Sequence, residues 1–209
     1  MVLLVCSRFT ANGQIHLGID AAPAVQTITL REATITRGYK ATLLPQAALR
    51  LRHDLGKDLG LGLRLAVGWL PKGAIVWFAA DSINGFPAGE TRLQAQYAVA
   101  RLGAEYKIGI SEGFSALGSM DFVYGRLART HRKLLGDAAE GDFDDFFSKE
   151  FFGLDFGLAV EYRFQNGIGL RFAPTLEVQL NKAYRSSFFW PEFRGFAPRI
   201  EFFIPISKK

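Results

Sequence analysis

The chain of 209 residues is poor in sulfur: one cysteine, Cys6, and two methionines. A single cysteine excludes an internal disulfide framework and any zinc site built from cysteine ligands. Long greasy runs are missing too. Hydrophobic residues reach 49%, yet no uninterrupted apolar stretch is long enough to cross a bilayer as a helix. There is no cluster of Lys and Arg. The formal charge is +5, but the basic residues stand singly among acids, so the basic stripe of a nucleic-acid surface is lacking and no nucleic acid is expected as partner. Helical periodicity is nearly absent.

Glycine and phenylalanine are plentiful, with 22 and 19 copies. Together they favour a β protein with close backbone approaches. The stretch Leu59–Trp69, "LGLGLRLAVGW", alternates without a miss. Leu59, Leu61, Leu63, Leu65, Val67 and Trp69 take one parity; Gly60, Gly62, Arg64, Ala66 and Gly68 take the other. A strand sends alternate side chains to opposite faces, so one face is wholly apolar. The same pattern recurs in Ile15–Thr29, Ala41–Asp54, Arg92–Ile108, Phe114–Arg126, Phe151–Phe164, Ile168–Asn181 and Phe196–Ile206, making eight candidate strands. In Arg92–Ile108 the parity shifts near Tyr97–Ala100, which a β-bulge would produce.

The links between these strands alternate in length. Leu55–Lys57, Gly109–Glu112 and Gln165–Gly167 are tight; Leu30–Lys40, Lys72–Thr91, Leu127–Glu150 and Lys182–Gly195 are long. An antiparallel meander that crosses a membrane sorts its turns in this way. The strands are also longer than the globular average of about 5–6 residues. The apolar faces carry Leu, Ile, Val and Phe almost without exception. The opposite faces mix Gly and Ala with charges of both signs: Asp20, Arg50, Arg52, Arg64, Arg101, Glu105, Lys107, Asp121, Asp155, Glu161, Arg163, Arg171, Glu177, Arg199 and Glu201. Such a face suits a crowded lumen, where charges must be paired. The expected fold is all-β: an eight-stranded antiparallel up-and-down transmembrane β-barrel over residues 15–207. Residues 1–14 read as a signal-peptide remnant or a short first strand. Trp69, Tyr97, Tyr106, Tyr124, Tyr162 and Phe164 are expected to form the aromatic girdle. Pro45, Pro174 and Pro198 are awkward in paired strands.

"GLDFGLAVEYRFQNGIGLRFAPTLEVQLN" (Gly153–Asn181) and the closing "RGFAPRIEFFIPIS" (Arg194–Ser207), with the loop alternation, resemble small bacterial outer-membrane β-barrel proteins. The nearest type is the outer membrane protein β-barrel domain that includes PorT-like proteins; OmpA- and OmpX-like barrels are more distant. The resemblance implies residence in the bacterial outer membrane, an N-terminal signal, contact with outer-membrane lipid and recognition by the barrel-assembly machinery, for which Phe202 and Phe203 are the available aromatics.

No catalytic constellation stands out. His16 faces the lumen, His53 sits at a strand end and His131 falls in a long outer loop, with no nucleophile tied to any of them by spacing. "DAAEGDFDDFF" (Asp137–Phe147) is acidic but lacks the EF-hand spacing; no metal or cofactor is expected. Its Phe143, Phe146 and Phe147, with Phe188, Phe189 and Trp190 of "SSFFWPEF", are loop aromatics that suit a protein partner or the outer leaflet. The expectation is a monomeric, non-enzymatic scaffold displaying outer loops, with a polar lumen network of Arg64, Asp121, Asp155, Glu161, Arg163, Arg171, Glu177, Arg199 and Glu201 as plug. A narrow channel for ions or small solutes, a lipid-modifying enzyme and a soluble lipocalin-like carrier with the apolar face inside are the alternatives.

Overall fold

In the computed structural model of the chain, residues 14–31, 36–55, 60–78, 89–135, 140–141, 147–181 and 190–206 are described. They form β1 (Ile15–Arg31), β2 (Thr36–Asp54), β3 (Leu61–Phe78), β4 (Gly89–Ser111), β5 (Phe114–Leu135), β6 (Glu140–Gly141), β7 (Glu150–Arg163), β8 (Gly169–Gln179) and β9 (Trp190–Pro205). The short β6 only extends the edge of β5. The other eight strands pair antiparallel in sequence order, and β1 pairs with β9 to close the ring. Closure satisfies backbone groups around the wall, as a lipid environment demands. The fold is an eight-stranded antiparallel β-barrel.

Most strands outrun their alternating segments, up to 23 residues in β4; β7 matches its segment in length and β8, at 11 residues, is shorter. β3 continues through Lys72 to Phe78, β4 begins at Gly89, and β5 continues past Arg126 to Leu135. The long links at that end are correspondingly shorter than expected; only residues 32–35 separate β1 from β2. Apolar alternation reports only the part of a strand with one greasy face, so strand beyond that zone escapes it.

At the opposite end the turns are tight. Ser111 lies opposite Phe114, leaving Glu112-Gly113 as a two-residue turn with Gly113 at φ 79°. That left-handed backbone is cheap only for glycine. In "QNG", Gly167 has φ 84°, and the Asn166 side chain accepts the Ile168 N–H at 3.1 Å.

The bulge expected in β4 near Tyr97–Ala100 is not there; the register shift at that level lies in β5. Gln96 lies opposite Arg129 and Tyr97 opposite Leu127, so Ala128 is the extra residue, in β5. β4 keeps one parity throughout: Ala95, Tyr97, Val99, Arg101 and Glu105 all face inward.

The prolines are accommodated as a row. Pro23 pairs with Pro45 across β1 and β2, and Pro174 with Pro198 across β8 and β9. The ladders on their other sides are interrupted: between Ala21 and Val25 in β1–β9, between Ala41 and Ala47 in β2–β3, and between Gly157 and Val160 in β7–β8. A proline has no N–H to give, so its free side falls where no ladder bond is made. Across the β1–β9 gap, the flanking register sets Pro23 against Pro198.

Candidate functional site

The barrel is inverted relative to a water-soluble protein. Leu43, Leu102, Leu158 and Ile200 point outward, with Leu158 72% exposed, while Arg52 and Glu161 are 2% and 0% exposed. The faces come directly from strand alternation: Leu61, Leu63, Leu65 and Val67 outward, Gly62, Arg64 and Ala66 inward. A continuous apolar exterior around a charged interior is the polarity of a membrane barrel, and an exposed patch of that extent is foreign to a soluble monomer.

Inside, the charges are layered. At the short-turn mouth, Asp54 is flanked by His16 at 3.3 Å, Arg52 at 3.3 Å and Arg163 at 3.5 Å. Next comes Glu161, held by Arg52 at 2.6 Å, Arg171 at 2.7 Å, Lys107 at 2.8 Å and Arg163 at 2.9 Å. Arg171 also donates two hydrogen bonds to Glu105, at 2.8 and 3.2 Å. The two-point geometry exploits the planar guanidinium fork. The Phe203 ring packs under this layer, with the Arg52 guanidinium 4.5 Å from its centroid. Mid-barrel, Arg64 lies 3.1 Å from Asp121 and 3.6 Å from Glu105, and Arg50 reaches Asp20 at 2.6 Å and Glu201 at 3.8 Å. Above them Arg101 and Arg199 share Asp155 at 3.0 and 2.7 Å, and Arg199 extends to Glu177 at 3.0 Å. Glu177 in turn accepts from Lys72 at 2.7 Å and from Gln26 at 2.8 Å.

The long-loop end of the lumen holds an apolar cluster. The Lys72 ammonium lies 5.2 Å from the Phe151 ring centroid, Tyr97 packs at 5.5 Å from the same ring, and Leu70, Val123 and Phe147 are fully buried. The Tyr97 hydroxyl donates to the Ser148 carbonyl at 3.0 Å. At the other mouth a depression of about 900 Å³ opens, lined by Gln14, Tyr162, Arg163 and Pro205 among others.

The structure places all nine expected network residues, Arg64, Asp121, Asp155, Glu161, Arg163, Arg171, Glu177, Arg199 and Glu201, on the lumen side, with Arg163 partly exposed at the mouth. It adds Lys72, which lies in β3 and is 0% exposed rather than in an outer loop. The apolar run that marks the strand ends near Trp69, so no periodicity flagged Lys72. Of the girdle, Trp69, Tyr106, Tyr124, Tyr162 and Phe164 are exposed on the outer wall. Tyr97 is a correction: β4 has no parity shift, so Tyr97 points inward and is 0% exposed. Phe147 is a second correction, since it is buried instead of displayed. His131 is a third; it lies on β5 opposite Gln94. Trp190 opens β9, while Phe143, Phe146, Phe188 and Phe189 lie outside the described residues.

No family model matches the chain, and no curated protein gives a significant match. Solved structures do match. Ail, the attachment invasion locus protein of Yersinia pestis, aligns at 12% identity over 92% of this chain and 99% of its own, with TM-score 0.46. Neisserial surface protein A aligns at 12% identity over 91% and 98%, with TM-score 0.47. OprG of Pseudomonas aeruginosa aligns at 16% identity over 93% and 96%, with TM-score 0.44. Likeness at this level carries no functional conclusion.

Proposed function

We propose that this chain is an integral bacterial outer-membrane protein whose barrel is a rigid, plugged scaffold holding its long-loop end above the membrane. The observation that carries the reading is the charge balance of the lumen. Among the described residues, nine guanidinium or ammonium groups (Arg50, Arg52, Arg64, Lys72, Arg101, Lys107, Arg163, Arg171, Arg199) meet eight carboxylates (Asp20, Asp54, Glu105, Asp121, Asp155, Glu161, Glu177, Glu201) at 4.0 Å or less. A passing ion would have to displace paired charges, and an eight-stranded lumen is narrow enough to be filled by side chains. The apolar wall points to a bilayer, and the short-turn mouth is assigned to the periplasmic side by the usual sorting of barrel turns. Assembly by the barrel-assembly machinery, a monomeric state and protein partners at the long-loop end belong to the same proposal.

Planar-bilayer recording tests the plug. The expected result is no resolved conductance step; discrete steps that change in size in Arg64→Ala or Glu177→Gln would overturn it. Mass analysis of outer-membrane lipid with and without the protein tests the absence of lipid-modifying activity; a protein-dependent mass change in the lipid would show an enzyme.

A further inference from the structure

We propose that Arg126 and Arg129 form a binding site, on the outer wall at the long-loop end, for the phosphate of an anionic lipid. The site rests on the membrane reading above and deepens it. On β5 strict alternation would turn Arg129 into the lumen, since Arg126 already faces outward. The extra residue Ala128 breaks that alternation, so Arg126 and Arg129 are both exposed, and the inward parity resumes at Thr130, which is buried. A bulge is a device for re-aiming a side chain, and here it puts a second guanidinium on the lipid-facing side.

Neither has an ion-pair partner among the described residues, whereas Lys40, at the same end, is taken up by Glu90. Glu150 lies opposite Arg126 in register and is exposed, so two guanidinium groups face one carboxylate here. Its height on the wall selects the occupant. Arg126 is linked in register through Ala98 to Trp69, an aromatic exposed at the edge of the apolar band. Such aromatics mark the headgroup level. Directly below lies an aromatic shelf: Tyr124 is two residues from Arg126 on the same face, with its ring 5.3 Å from Phe152, and Phe122 is 6.3 Å from Phe152. An acyl chain on that shelf delivers its phosphate to the arginines. Guanidinium forks bind phosphate oxygens in pairs, which a lone ammonium cannot do.

The test uses the full chain refolded into nanodiscs of phosphatidylcholine doped with phosphatidylglycerol, with heat-modifiable migration as the folding check. Native mass spectrometry then counts retained lipid. Failure to fold and insert would sink the membrane reading itself. Given insertion, the wild type is expected to retain phosphatidylglycerol over phosphatidylcholine, and R126Q/R129Q to lose about fivefold of that preference per arginine, the scale for one basic residue at an anionic surface. R126K/R129K, which keeps the charge but not the fork, should recover only part. Equal retention of the two lipids by the wild type would overturn the site. So would an unchanged preference in R126Q/R129Q, or an equal loss in a control K40Q/R194Q variant. Abolition of the preference by millimolar inorganic phosphate would show a free-anion site and overturn the lipid assignment.

Discussion

Glu177 is the residue on which the upper lumen turns. It is 1% exposed and accepts from Lys72, Gln26 and Arg199. Removing one member of a buried ion pair strands the other charge, at a cost of about 3–5 kcal/mol, whereas replacing both with apolar groups is often close to neutral. Glu177→Gln should therefore lower unfolding stability in detergent by about that amount, since Lys72 and Arg199 lose their shared anion. Lys72→Met with Glu177→Leu should recover a good part of it. Two single substitutions summing to the double would show that the groups are not coupled. Tyr97 offers a graded comparison. Its hydroxyl makes one hydrogen bond, to the Ser148 carbonyl, while its ring packs against Phe151. Tyr97→Phe should cost about 1 kcal/mol, the net worth of such a bond. Tyr97→Ala should cost about 3–5 kcal/mol through the cavity it leaves. Equal losses in urea titrations would mean that the ring is not packed as described.

At the scale of the strand, the proline row divides the wall into well-bonded and poorly bonded stretches. Ile19 and Leu49 sit in uninterrupted pairing, whereas Ala22–Ala24 and Ala197–Arg199 flank a seam without ladder bonds. Pro23→Val with Pro198→Val, which supplies the two donors missing at the seam, should raise unfolding stability by about 1–2 kcal/mol, the net worth of one or two hydrogen bonds. A lowered or unchanged stability would contradict the interrupted ladder. The same strands show what alternation can and cannot reveal. Leu61, Leu63, Leu65 and Val67 disclose their face because every outward position is greasy and every inward one small or charged, so β3 could be read near its centre. Past Trp69 both faces turn mixed, and the strand end at Phe78 and the buried Lys72 were hidden. Tyr97 misled for a related reason. An apolar residue on the inward parity of β4 looks like a phase shift, yet it belongs to the hydrophobic cap over the ion-pair layers. A bulge re-phases only the strand that carries the extra residue, so Ala128 leaves β4 in phase and shows instead at Arg126–Thr130 of β5, where no apolar alternation reveals it. The pairing of charges across strands, such as Arg52 with Glu161, depends on barrel closure and left no trace in local sequence.

For the molecule as a whole, the contrast between wall and lumen governs behaviour in different solvents. The chain should fold only in detergent or bilayer and should migrate differently on gels with and without heating; a folded, monomeric species in plain buffer would end the membrane reading. Buried ion pairs are screened little by salt, while exposed charges are screened strongly. Raising ionic strength should thus leave unfolding stability nearly constant while weakening lipid retention at Arg126 and Arg129. Parallel salt dependence of the two would place both in the same environment, against the structure.

The four aligned prolines, Pro45, Pro23, Pro198 and Pro174, also bear on how the ring is completed. They straddle the junction where the first strand meets the last, the one contact that cannot form until the chain is finished. The gap divides that junction into two ladders, His16–Ala21 with Ile200–Pro205 and Val25–Arg31 with Trp190–Phe196. A nascent barrel clasped edge to edge by another sheet could let go of its host by closing these two ladders one after the other, below and above the prolines, instead of exchanging a full ladder at once.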